Sequence, residues 1–187
     1  FYKTDEHSVN GFKYIFLSVK KILFFCVILI MNSKFITTKK NVIFLRQNDV
    51  LISLYTNNET ENPKIDGVRF FTFYKDIFIS KFKFINGVKW IIGSVFSIFH
   101  ARLSSIRTFH FHIFYTNILV LFNLLLVKLL FGKVVLTIHD VSSFANSSAS
   151  SIFRSIIYKL TDLILTHNEF SKSEIIKITP KLTSCIY

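Results

Sequence analysis

Three short polar clusters, each directly after an apolar run, hold the residues best able to do chemistry: Tyr115-Thr116-Asn117, His139-Asp140 and His167-Asn168-Glu169. An imidazole with a pKa of about 6.5 can donate to a phosphate oxygen or a sugar hydroxyl at neutral pH. A carboxylate beside it can act as a base or orient it. Adjacent residues on an extended strand point to opposite faces, so His139 and Asp140 meet only if the chain turns there. Strand ends are also polar simply because they meet water. Histidine at two ends, each with a carboxylate nearby, is what points to a site. His110 and His112 stand two apart and share one strand face. They could make a metal pair, but no third ligand accompanies them and the run is otherwise aromatic. They read as packed strand histidines, and no metal is expected. No P-loop, GxGxxG fingerprint, HExxH or GxSxG elbow occurs, which removes the cheapest support for kinase-like, oxidoreductase, zinc-protease and α/β-hydrolase functions.

The elements that would position these clusters are clearest in the second half. Phe109 to Phe114 (FHFHIF) is a short strand-like run, and Ile118 to Phe131 is a leucine-rich stretch of helical length. Gly132 is expected to close that helix in the left-handed conformation. Lys133 to Ile138 reads as a strand covered on both faces. After a serine-rich loop, Asn146 to Ser151, the residues Ile152, Phe153, Ile156, Ile157 and Leu160 recur at the spacing of one helix face. Asp162 to Thr166 is another buried strand. Ser171-Lys172-Ser173-Glu174 has the form of a capping box opening a helix that stops near Pro180. Strands alternating with helices in this way predict right-handed crossovers and a parallel sheet.

In the first half, Ile22 to Leu29, Asp49 to Tyr55 and Val68 to Tyr74 read as strands, with a polar turn at Asn57 to Pro63. Lys34 to Arg46 is long enough for a crossover helix, and Val88 to Leu103 is a helix leading into Phe109. The expectation is an α/β fold: a Rossmann-like parallel sheet with helices on both faces, spanning residues 20–187, with residues 1–19 unassigned. Ligands of such sheets bind outside the carboxyl ends of the strands. That is where Tyr115, Asn117, His139, Asp140, His167, Asn168 and Glu169 fall, with Ser171 at the start of the last helix.

Composition narrows the partners. The chain has 187 residues, 51% hydrophobic and 18% charged, with Gly 5 and Pro 2, which excludes a disordered tail, a collagen-like repeat and a low-complexity linker. Lys+Arg 23 against Asp+Glu 11 gives +12, so a partner should carry negative charge. Nucleic acid, an anionic membrane and a phosphorylated metabolite all qualify. The 23 phenylalanines, with abundant Ile, Lys and Asn, also match translation of AT-rich DNA. Basic residues are scattered and aromatics sit inside strands, so no nucleic-acid motif backs the charge. Cys26 and Cys185 lie too far apart for a disulfide framework or zinc site, which suggests a reducing compartment. The apolar runs Ile22–Met31 and Ile118–Phe131 are short for a span of about 20 residues and are flanked by cations. They fit a buried strand and a core helix better, with peripheral attachment to a membrane left open. The alternative reading is a small integral membrane protein without catalytic activity, the first run spanning if its helix starts back at Phe12. The chain opens at Phe1, holds its single methionine at Met31 and stops at Tyr187, the pattern expected of a fragment.

Lys133 to Phe144 (KVVLTIHDVSSF), Ile157 to Asp162 (IYKLTD) and Leu163 to Ile175 (LILTHNEFSKSEI) together resemble the N-terminal domain of family 4-type glycosyltransferases. The resemblance covers roughly Phe109 to Ile178 and rests on the order and spacing of its short motifs. It implies one half of a GT-B fold, two Rossmann-like domains facing across a cleft, and the transfer of a sugar from a nucleotide-sugar. The acceptor would be a glycan or lipid-linked molecule of cell-surface polysaccharide biosynthesis, at the cytoplasmic face of the membrane. On that resemblance His139 is the catalytic residue reaching toward the transferred sugar, and Ser171 starts a helix beside the cleft. Asp140, Tyr115, Asn117, His167, Asn168, Glu169 and Ser171 bind substrate, and no cofactor is needed beyond the donor. Two departures stand out. Ile28 to Ser33 lacks the glycine-rich loop usual after the first strand, and the donor-binding C-terminal domain is missing, so the fragment alone is expected to be inactive.

Overall fold

Runs of β-branched and aromatic residues form six strands: β1 Phe25–Ile30, β2 Leu51–Asn57, β3 Val68–Tyr74, β4 Thr108–Ile113, β5 Lys133–Ile138 and β6 Leu163–Thr166. Four helices accompany them among the described residues: α1 Lys83–Leu103, α2 Ile118–Leu129, α3 Ser148–Leu160 and α4 Glu169–Ile178. This computed structural model describes residues 25–30, 51–62, 64–77, 79–113, 116–138, 148–166 and 169–179, with backbone alone for 25–30 and 148–152. The expected helix over Lys34 to Arg46 and the segment 1–19 lie outside these residues. All six strands are parallel, in the order β3-β2-β1-β4-β5-β6. This is the Rossmann-like arrangement read from the sequence. The right-handed rule places α1, α2 and α3 on one face and sends the β2–β3 connection over the other. The β2–β3 connection, residues 58–67, shows no helix among its described residues. It is clasped instead by Asn58, whose amide donates to Asp76 Oδ1 at 2.8 Å while its oxygen accepts from the Asp76 N–H at 2.9 Å.

The core lies between the sheet and the helix layer. Phe109, Phe111 and Ile113 of β4 and Val134, Leu136 and Ile138 of β5 pack against Val120, Leu121, Leu124 and Val127 of α2, and Ile157 and Tyr158 of α3 join them. On α3 the buried face runs through Ile157 and Tyr158, while Ile156, expected inside, is exposed. That helix starts at Ser148, so Ser148, Ser150 and Ser151, read as part of a loop, lie in its first turn instead. Serine is favoured near a helix start.

At the amino edge of the sheet, two helices end in the same way. Past α1, Ser105 takes a left-handed φ of 62°, with Ile106 N–H donating to Ala101 O at 3.0 Å and Ser105 N–H to Arg102 O at 3.0 Å. Past α2, Phe131 does so at φ 56°, with Gly132 N–H donating to Val127 O at 2.9 Å and Phe131 N–H to Lys128 O at 3.0 Å. Both are Schellman closures. The left-handed position is therefore Phe131, not Gly132 as the sequence suggested. Gly132 is required for space: a Cβ there would lie 2.6 Å from Val127 Cγ1 and 3.1 Å from the Phe109 ring. Arg102 ties the two closures together, donating through Nε to Leu130 O at 2.9 Å and through Nη1 to Ile106 O at 2.8 Å. Asp162 holds the next strand start, accepting from the Val134 N–H at 2.6 Å and pairing with Lys128.

Opposite effects are therefore expected at neighbouring positions. Phe131→Gly should raise stability by about 0.5–1 kcal/mol, because the exposed ring loses no packing and the left-handed strain is relieved. Gly132→Ala should lower it by about 1–3 kcal/mol through overpacking. Urea denaturation of both variants checks the signs.

Three buried phenols add a pH limit. Burial pushes Tyr55, Tyr74 and Tyr158 each up to about 12 from 10.0, opposed respectively by Arg69, by the Ser94, Ser97 and Asn123 side chains, and by Arg154. Below pH 10 these phenols are protonated in both states and contribute nothing to pH dependence. Between pH 10 and 12 the unfolded chain releases protons that the folded one retains, so stability falls as pH rises. Denaturation midpoints that stay flat across that window would contradict the assignment.

Candidate functional site

The strand order reverses between β1 and β4, and a crevice for ligands is expected outside the carboxyl ends there. Those ends are level. Ile113 of β4 pairs with Ile138 of β5, Ile138 with Thr166 of β6, and Ile30 of β1 with His112 of β4. With strands about 4.8 Å apart, the ends of β4, β5 and β6 span only about 10 Å. The three polar clusters of the sequence follow these ends directly along the chain. Tyr115, His139, Asp140, His167 and Asn168 themselves lie outside the described residues.

Thr116 and Asn117, from the first cluster, form the entry to α2. The Asn117 side-chain oxygen accepts from the Val120 N–H at 2.9 Å and so caps the helix. This reassigns part of Asn117, expected to bind substrate, to a structural duty; its amide nitrogen remains a possible donor. No acidic residue occupies the first turn of α2, so its open N–H groups and positive dipole end are not neutralised within the helix. Anions are stabilised at such an end. Thr116, just before it, is 9% exposed, and its hydroxyl has no hydrogen-bond partner among the described residues.

The last cluster leads into α4, and here the sequence expectation needs correcting. The helix begins at Glu169, so Ser171 lies within its first turn, buried, and is not the N-cap. Glu174 pairs with Lys177 at 2.5 Å instead of reaching back to Ser171. Glu169 in the first turn complements the helix dipole and is almost fully exposed, 4.0 Å from Lys172.

His110 and His112 are packed strand residues, as read. Both are buried, with ring centroids 4.5 Å apart, and His110 Nε2 lies 2.7 Å from Thr137 Oγ1. With Thr108 and Thr137 they form a polar row on the sheet face opposite the helix core. No group of three metal-ligating side chains occurs among the described residues. Sequence reasoning missed that Thr116 is buried with an open hydroxyl, since no spacing signals burial at a loop–helix junction.

This topology, with its strand ends aligned at a switch point, defines a Rossmann-like α/β domain. No protein-family model matches the sequence, and no curated protein matches it. The structure is similar to UDP-GlcNAc 2-epimerase from Methanocaldococcus jannaschii, with a TM-score of 0.56 and 14% sequence identity over 87% of this chain. The chain spans 44% of the length of that protein. The likeness is one of fold, a GT-B-like domain.

Cap and site can be separated at Asn117. Asn117→Ala should cost about 1 kcal/mol of stability and Asn117→Asp much less, since aspartate also accepts from the Val120 amide. Thermal unfolding of the pair checks this; equal losses would remove the capping role.

Proposed function

We propose that this chain is the acceptor-side half of a GT-B-type glycosyltransferase, passing a sugar from a nucleotide-sugar to a glycan or lipid-linked acceptor of cell-surface polysaccharide biosynthesis. The supporting observation is the level row Ile113, Ile138 and Thr166, three adjacent strand ends each followed in sequence by a sugar- or phosphate-competent cluster. The N-terminus of α2, capped by Asn117 but with no acidic residue in its first turn, is suited to phosphate-bearing or otherwise anionic ligands. On this reading His139 is the catalytic residue, donating a hydrogen bond near the transferred sugar. Asp140, Tyr115, Asn117, His167, Asn168 and Glu169 line the substrate side, while Ser171 supports them from within α4. The donor is a substrate, and the departing nucleotide diphosphate is stabilised by amides and cations without a required metal. The cytoplasmic membrane face is the proposed location, and nucleic acid is not a partner.

A second reading, a sugar-nucleotide epimerase, draws on the structural likeness to UDP-GlcNAc 2-epimerase. The two differ in one measurable need. An epimerase turns over its nucleotide-sugar with no acceptor present; a transferase does not. The alternative of an integral membrane protein is disfavoured by packing. Residues 25–30, inside the first apolar run, form a central strand paired on both sides, and α2 buries Val120, Leu121, Asn123, Leu124 and Val127 along one side.

The test is a product assay on this chain joined to, or mixed with, a donor-binding half. Label should pass from nucleotide-sugar to the lipid or glycan fraction, and His139→Ala should reduce transfer by about 100-fold or more with an unchanged thermal midpoint. Unaltered transfer in His139→Ala would remove that residue from the mechanism, and acceptor-independent turnover would favour the epimerase.

A further inference from the structure

Helix α1 is built inside out. The face it lays on the sheet carries Trp90, Gly93, Ser94, Ser97, Ile98 and Ala101, mostly small or polar. Gly93 allows the close approach: a Cβ there would fall 2.8 Å from the Tyr74 ring and 3.1 Å from Phe73 O. The outward face carries Ile85, Val88, Ile92, Phe96, Phe99 and Leu103, each at least 39% exposed. Their steps of three and four residues make one continuous stripe along a helix of about 30 Å. A surface helix in water has the reverse arrangement, and an apolar area of this extent marks a contact with something apolar.

Charge identifies the occupant. From Ile77 to His139 the sequence has no Asp or Glu but seven Lys and Arg. Lys81 and Lys83 stand exposed at the amino end of α1, where no acidic residue offsets them and the helix dipole is already positive. The N-cap position, Phe82, supplies no side-chain hydrogen bond and is itself exposed. A second copy of this surface would bring cations without countercharge. A bilayer with anionic headgroups supplies both the apolar contact and the negative charge. By length and composition α1 could cross a membrane. Its inner face, however, is fitted to β3, with Tyr74 bonded to Ser94 at 3.3 Å and the Trp90 ring tilted against that of Tyr74, so crossing would strip it from the sheet.

We infer that the outward face of α1 is a docking surface for an anionic lipid bilayer, on which the helix lies in the interfacial plane. This deepens the peripheral-membrane part of the proposed function and rests on that part alone.

Co-sedimentation of the full chain with vesicles of phosphatidylglycerol and phosphatidylcholine in equal parts, against phosphatidylcholine alone, tests it. The mixed vesicles should bind at least about tenfold more tightly, and ~1 M salt should weaken that binding. Phe96→Asp with Phe99→Asp should lower partitioning about tenfold or more, with circular dichroism unchanged because both side chains are exposed. Lys81→Glu with Lys83→Glu should erase the preference for the anionic vesicles. Equal binding to both vesicle types, or none, overturns the inference. So does a dimer, seen by sedimentation, that the phenylalanine variant breaks while vesicle binding persists. A variant that loses vesicle binding yet, joined to a donor-binding half, still passes sugar from nucleotide-sugar to a soluble acceptor separates this surface from the catalytic reading. Absent turnover with intact vesicle binding would count against that reading and leave the surface standing.

Discussion

The Arg102 guanidinium governs the geometry on which the candidate site depends. By donating to Ile106 O and Leu130 O, it joins the ends of α1 and α2 just where β4 and β5 begin. The neighbouring bond from Lys133 N–H to Arg107 O, at 2.7 Å, sets the two strand starts side by side. Asp162 does the same between β5 and β6. β4 and β5, six residues each, start in register and so finish in register, while β6 starts opposite Val135 and ends level after four residues. The level carboxyl ends at Ile113, Ile138 and Thr166 therefore originate at the opposite edge of the sheet. Hydrogen bonds to charged groups are among the stronger ones, which suits them to this task.

Much of this was legible in the amino acids. Continuous β-branched runs such as Lys133 to Ile138 have few alternatives to a buried strand, and the alternation of such runs with helical spacing announced a parallel sheet. The errors are local and physical. Gly132 sits at the end of a helix and carries the usual left-handed expectation, yet the tight packing of Val127 and Phe109 claims it, and Phe131 takes the strained turn one residue earlier. Ser171 and Glu174 have capping spacing, but Glu169 lies two positions ahead and starts the helix sooner. Neither outcome can be read from spacing, because each is decided by contacts made across the fold.

The α1 surface was obscured for a different reason. Its large apolar residues invite assignment to the core, and strict 3.6-residue spacing does not say which side of a helix faces inward. The signal lies in the small residues Gly93, Ser94, Ser97 and Ala101, which repeat on the side opposite the phenylalanines. Small side chains let a helix approach a sheet closely, and the bulk is then left outside. The high content of hydrophobic residues thus serves two purposes, a core between sheet and helices and an external apolar face, which composition alone merges into one number.

The pairing of β1 with β4 has a consequence for how the molecule assembles. Cys26 meets Thr108 only after β2, β3 and α1 have been threaded between them, whereas β2 meets β3, and β4 meets β5, across much shorter stretches. Loop closure favours the shorter joins, so two half-sheets should condense early and merge late along a single seam. That seam is the switch point itself. The crevice expected there would close only with that join, so a chain halted before it would carry the level row Ile113, Ile138 and Thr166 on one half-sheet with no β1 beside it.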